Sequence, residues 1–166
     1  MSGKVMVIFL LVAGLAGGAA MYWLQVYAFY ERVDDVALAI TTDGVAQPLE
    51  ATGVQAIDAT SSPLRFRACF EVAGEVAGDP YPQAVPLNAP GWFDCFDAEA
   101  IGDALASGGA QAYLGQSNVT FGIDRVIAVF PDGRAFAWHQ INICGEEVFD
   151  GRPAPEGCPP APEGNS

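Results

Sequence analysis

The residues with the most chemical potential in this chain are two arginines spaced two apart, a Trp-His dipeptide, a pair of aspartates and four cysteines. Arg65 and Arg67 flank Phe66 in LRFRACFEV, residues 64–72. A strand with its period of two puts both guanidinium groups on one face. There they can hold a carboxylate or phosphate in bidentate fashion. An ion pair with Glu71 or another of the many acids is the competing and favoured use of the same pair. Trp138 and His139 sit in RAFAWHQINI, and His139 is the one histidine of the chain. Trp138 and Gln140 should face one side of that strand, His139 and Ile141 the other. Arg65, Arg67, Trp138 and His139 are the candidate ligand-binding residues. A lone imidazole among apolar neighbours usually makes a structural hydrogen bond, so catalysis by His139 is not expected. Asp94 and Asp97 flank Cys95 and can do acid/base work as a pair, but helix capping explains both. No catalytic residue and no cofactor is assigned.

Cys69, Cys95, Cys144 and Cys158 form neither CxxC nor CxxCH, which removes thioredoxin-like redox chemistry and covalent haem attachment. A zinc site would have to combine three of them with His139 at irregular spacings, and no metal site is expected. An even cysteine count in an oxidising compartment reads as two disulfides. Three pairings are possible. Cys69–Cys95 and Cys144–Cys158 close the shorter loops and are the expected pair; the second would tie GRPAPEGCPP to the domain. The patterns GxSxG, HExxH, GxGxxG and the P-loop are absent, as is a nucleophile beside an obvious base. Asn118-Val119-Thr120 has the form of a glycosylation sequon, read as unmodified in a bacterial-looking chain.

The elements that must position these residues begin with an apolar run. Residues 5–24, VMVIFLLVAGLAGGAAMYWL, carry no charge, and all 20 acidic residues follow it. Twenty helical residues cover roughly the 30 Å hydrocarbon core of a bilayer. Tyr22, Trp23, Tyr27, Phe29 and Tyr30 form an aromatic belt at one end; Lys4 and the α-amine mark the other as cytoplasmic. The rival reading, a cleaved signal peptide ending near Gly18-Ala19-Ala20, leaves MYWLQVYAFY exposed on the mature chain, so an uncleaved anchor is favoured. Gly14 and Gly18 have GxxxG spacing, a helix-packing face toward another membrane protein.

Downstream, six arginines stand against the 20 acids, a net charge near −14. That field repels nucleic acid and anionic lipid. The chain divides into an anchor (1–30), an α+β domain (31–150) and a Pro-rich tail (151–166), extended and partly disordered. The expected architecture is an N-terminal transmembrane helix, then a small antiparallel sheet with one short helix and two disulfides. Strands are expected at 36–42, 64–72 and 111–114, and a hairpin at 123–143 about Pro131-Asp132-Gly133. A loop is expected over 73–91, a helix over 98–106 capped by Asp94 or Asp97, and an edge strand at 146–149.

The stretches MYWLQVYAFYERV, IDATSSPLRFRACF, APGWFDCFDAEAIG, GIDRVIAVFPDGRAFAWHQIN and DGRPAPEGCPP resemble a family of small alphaproteobacterial membrane-anchored proteins with a domain of unknown function. The likeness spans residues 3–160 and includes all four cysteines. It implies a Gram-negative inner-membrane anchor with the domain in the periplasm, and no activity. The label histidine kinase, sometimes attached to such proteins, is not supported: the chain is too short for a dimerisation helix pair plus an ATP-binding domain. The expected function is a non-enzymatic interaction module, an accessory or assembly subunit of a membrane complex. The alternatives are a periplasmic small-molecule-binding domain using Arg65, Arg67, Trp138 and His139, and an enzyme of unknown chemistry.

Overall fold

The computed structural model describes residues 3–162. The N-terminal amine and the last four residues of the Pro-rich tail therefore lie outside the described residues. The chain separates into two compact units, divided between Tyr30 and Glu31.

The first unit is a helix, α1 (Gly3–Trp23), continued by one π-helical turn, Leu24–Ala28. None of its residues is buried, and every side chain from residue 5 to residue 12 is more than half exposed. Its apolar residues run all the way round, with no polar face for water. At about 1.5 Å per residue, the 26 residues Gly3–Ala28 can cross a bilayer.

The second unit is built on a six-stranded antiparallel sheet. Its strands are β1 (Glu31–Arg32), β4 (Ala51–Asp58), β5 (Arg67–Val72), β6 (Gln111–Thr120), β7 (Ile123–Val129) and β8 (Arg134–Ile141). They lie in the order β1-β4-β5-β8-β7-β6. A separate hairpin joins β2 (Ala39–Thr42) to β3 (Val45–Pro48). The β7–β8 hairpin sits inside the sheet, as the alternation on either side of Pro131-Asp132-Gly133 predicts. The short helix α2 (Ala98–Ser107) starts at Asp97, whose carboxylate accepts from Ala100 N; of the two capping candidates, Asp97 is the cap.

Both faces of the sheet are covered. On one, Ala68, Phe70, Ala135, Ala137 and Ile127 meet Leu38, Phe66 and Ala56, with Val33, Val36 and Leu49 packed against them. The cross-strand row Ala68, Ala137, Ile127 is narrow enough for the segment before β2 to lie close. On the other, Cys69, Phe136 and Trp138 lie under Phe96, whose ring is 6.0 Å from Phe136 and 6.3 Å from Trp138. The Cys69–Cys95 disulfide holds that cover down, and Cys144–Cys158 holds the tail. The outer edge of β6 does not invite pairing. Tyr81 N donates to Ala112 O, Leu114 N to Asp79 O, and the Thr41 hydroxyl to Gly115 O.

Several expectations need correcting. Residues 146–149 are not an edge strand; they complete a second short helix, α3 (Ile143–Phe149), so the domain has two short helices rather than one. Asn142 caps it by accepting from Gly145 N, and this local bond outweighs the apolar alternation of ICGEEVF. Strand β5 begins at Arg67, because Ser62 and Pro63 start a 3-10 turn, Pro63–Arg65. Arg65 and Arg67 thus do not share a strand face. The short strand expected at 111–114 runs on to Thr120, and β3 and β4 were not anticipated.

Helix α3 also creates a close backbone contact. A Cβ on Gly145 would fall 2.9 Å from Ile141 Cγ2 and 2.9 Å from Phe149 Cε2, and against the carbonyl of Gly122. Gly145→Ala is expected to destabilise the domain by about 2–3 kcal/mol, because a backbone carbonyl cannot step aside as a side chain would. Gly102→Ala in α2 meets only Pro86 Cγ at 3.8 Å and should stabilise by about 0.5–1 kcal/mol through helix propensity. Urea denaturation of the two variants checks the opposite signs.

Candidate functional site

The structure places Arg67 and Trp138 on one face of the sheet, His139 on the other, and Arg65 in the 3-10 turn before β5. Arg67 pairs in register with Trp138, and both side chains lie under the irregular segment 73–97. Arg67 is 3% exposed. Its guanidinium donates to four backbone carbonyls: Leu87 O at 2.7 Å, Asn88 O at 3.1 Å, Leu64 O at 2.8 Å and Phe66 O at 2.6 Å. It also lies 5.7 Å from the Phe96 ring centroid. The fork that could have gripped an anionic ligand is thus spent on ordering the loop that covers it. Trp138 is closed off similarly. Its indole donates to Gln140 Oε1, which also accepts from Val85 N, while Gln140 Nε2 donates to Gln83 O.

His139 faces the other side of the sheet, as the strand period predicts, and is 6% exposed. Its ring stacks on Phe66 with centroids 4.6 Å apart. Nδ1 donates to Pro63 O at 2.6 Å, and Nε2 accepts from Arg125 Nε at 3.1 Å. This arrangement needs a neutral imidazole with its proton on Nδ1. Burial is the main reason its pKa falls to about 4, partly opposed by the Pro63 bond and reinforced by the charges of Arg125 and Arg67. Arg125 lies 4.3 Å from the Phe66 ring centroid and donates from Nη1 to Ala37 O at 3.0 Å. Burial lowers its pKa, and Asp58 opposes that. Arg65 lies in the 3-10 turn Pro63–Arg65, before β5 begins.

A third polar cluster escaped sequence reasoning. Asp124 is buried on β7, and Oδ1 accepts from Asn142 Nδ2 at 2.7 Å, Asn118 N at 2.9 Å and Ser117 Oγ at 3.4 Å. Its Oδ2 accepts from Tyr81 OH at 3.3 Å, and burial, ahead of the Asp124 charge, raises the tyrosine pKa. Neutral donors from four residues, Tyr81, Ser117, Asn118 and Asn142, satisfy this carboxylate. The only signal in sequence was an Asp at a position where the hairpin pattern calls for a core residue. Asn118 Oδ1 accepts from Gly122 N and Asn142 Nδ2, so the sequon asparagine is part of the β6–β7 turn.

Chemically, these clusters are satisfied networks. The imidazole has both nitrogens engaged and a depressed proton affinity, the opposite of a general base poised near neutrality. Among the described residues, no three His, Cys, Asp or Glu side chains gather to hold a metal ion. A cleft of about 630 Å³ lies elsewhere, between Gly108-Gly109, Glu75, Tyr113 and the Pro131–Gly133 turn. None of Arg65, Arg67, Trp138 or His139 lines it.

No curated protein and no solved structure matches the chain. One family model does, over residues 36–159, about three quarters of the sequence and all four cysteines. The matched stretch takes in β2 through Cys158 and leaves out α1. By that match, the chain belongs to DUF6446, a family of unknown function.

Proposed function

We propose that this protein is a single-pass inner-membrane protein of an alphaproteobacterium, with its N-terminus in the cytoplasm and its disulfide-bonded domain in the periplasm. Its role is that of a non-enzymatic interaction module, an accessory or assembly subunit of a membrane complex. The observation that carries the reading is α1 with its side chains exposed all round. Leaving the large apolar residues of positions 5–12 in water would cost more than about 10 kcal/mol, so the helix needs a lipid or protein environment. Gly14 and Gly18 support a protein partner within the membrane. Their GxxxG spacing leaves a patch without side chains where a neighbouring helix can approach closely. The two disulfides favour the oxidising side. In the domain, the groups best suited to bind a ligand are committed to holding the fold.

The test is affinity purification of tagged full-length protein in mild detergent, followed by mass spectrometry. A stoichiometric membrane partner is expected, and Gly14→Leu with Gly18→Leu should reduce its recovery at least fivefold. A clean monomer from the wild-type preparation would overturn the reading.

A further inference from the structure

We propose that His139 and Arg125 form an acid-sensitive latch on residues 33–38, the segment between β1 and β2. Arg125 is the central piece. Its Nε needs a lone pair on His139 Nε2, and its Nη1 holds the Ala37 carbonyl. A proton on Nε2 replaces that lone pair with a second N–H donor and sets two cations against each other. The guanidinium then has to leave the Phe66 face, and the bond to Ala37 goes with it. Besides this bond, the segment is held by Val33 N donating to Ala56 O, by Leu38 O accepting from Leu49 N, and by the packing of Val33, Val36 and Leu38. Releasing these six residues opens the loop between β1 and β2, while β1 stays paired with β4. The latch thus sets whether this segment lies closed against the sheet.

The other charges around the imidazole fix the direction of the response. Arg67, on the neighbouring strand, adds to the repulsion of an imidazolium. Asp58, at the end of β4, acts on both arginines. Arg65 belongs to the 3-10 turn that supplies Pro63 O, and Asp34 and Asp35 ride on the segment itself. Because His139 has a lower pKa latched than free, its contribution is fully present above about 6.5 and is lost as pH falls toward about 4. Asp58 has the opposite sign. Burial raises its pKa above the ordinary 3.8, so its contribution falls as pH rises through that region.

Hydrogen exchange of the full-length protein in detergent micelles tests this, with opening constants corrected for the intrinsic exchange rate. Between pH 7 and pH 5, opening at the Val33 and Leu49 amides should increase about 20-fold, from a ring that titrates at about 4 latched and about 6.5 free. Amides at the centre of β5 and β8 should change less than threefold. His139→Gln should abolish the pH step, Arg125→Gln should leave the segment open at both pH values, and Asp58→Asn should retain the step. A flat wild-type response, the same step in His139→Gln, or equal loss of protection at all amides would overturn the proposal.

Discussion

Replacing Arg67 with methionine is expected to lower the stability of the domain by about 4 kcal/mol, among the largest effects of any single substitution away from the cysteines. Methionine keeps much of the buried stem but none of the donors. Four carbonyls, of Leu64, Phe66, Leu87 and Asn88, lose a charged donor together. An orphaned buried acceptor costs about 1–3 kcal/mol, so the raw loss is larger than 4. Two terms offset it: the guanidinium no longer has to be desolvated, and the carbonyls of the 73–97 segment can partly return to water. Arg67→Lys should fall between, since one ammonium cannot reproduce the planar fork. Arg134→Met is the control. Its partner is Asp132, both side chains are more than half exposed, and it should cost no more than about 0.5 kcal/mol. Chemical denaturation with disulfides intact measures all three. If Arg67→Met and Arg134→Met proved alike, the guanidinium would not be what fastens the loop.

The same residue shows what the sequence could and could not reveal. The alternation of LRFRACFEV correctly puts Phe66, Ala68, Phe70 and Val72 on one face and Arg67 with Cys69 on the other. Period alone cannot say whether the second face meets water, and the charge of Arg67 argued that it does. The cover comes from a Gly- and Pro-rich segment with no periodicity of its own, fastened by a disulfide and by backbone carbonyls. The β7–β8 hairpin was legible because its strands are regular and its turn residues are specific. Strand β4 was not, because a bulge between Thr52 and Gln55 breaks the alternation. Helix α3 was hidden by its apolar residues and revealed only by the Asn142 cap. The Asp124 cluster joins Ser117 and Asn118, across the β6–β7 turn, to Tyr81 and Asn142, 43 and 18 residues away, and no local pattern encodes the distant pair. In the apolar helix, length and composition suffice, since no downstream contact is needed to form it.

Substituting all four cysteines by serine is expected to remove about 6 kcal/mol of stability and leave the domain largely unfolded at 37 °C. The Cys69–Cys95 bond spans 26 residues of sequence and Cys144–Cys158 spans 14. The chain-entropy estimate gives about 3.5 kcal/mol for the first loop and about 3 for the second. The loops do not overlap in sequence, so their constraints on the unfolded chain are close to independent. A domain of this size holds about 5–15 kcal/mol in total, and the loss takes most of the lower part of that range. The larger loop carries a structural consequence as well. Without it, the part of the segment next to Cys95 relies on the Arg67 carbonyl bonds and the Phe96 contacts, so Cys69→Ser/Cys95→Ser combined with Arg67→Met should lose more than the sum of the two changes. Folding would then depend on the compartment. Residues 31–166 produced in a reducing cytosol should be degraded within minutes by added protease, while the same segment exported to an oxidising compartment should resist. Equal protease resistance in both, or a quadruple variant within about 1 kcal/mol of wild type, would mean that the bonds do not decide where this domain can fold, and the disulfide argument for a periplasmic location would fall with it.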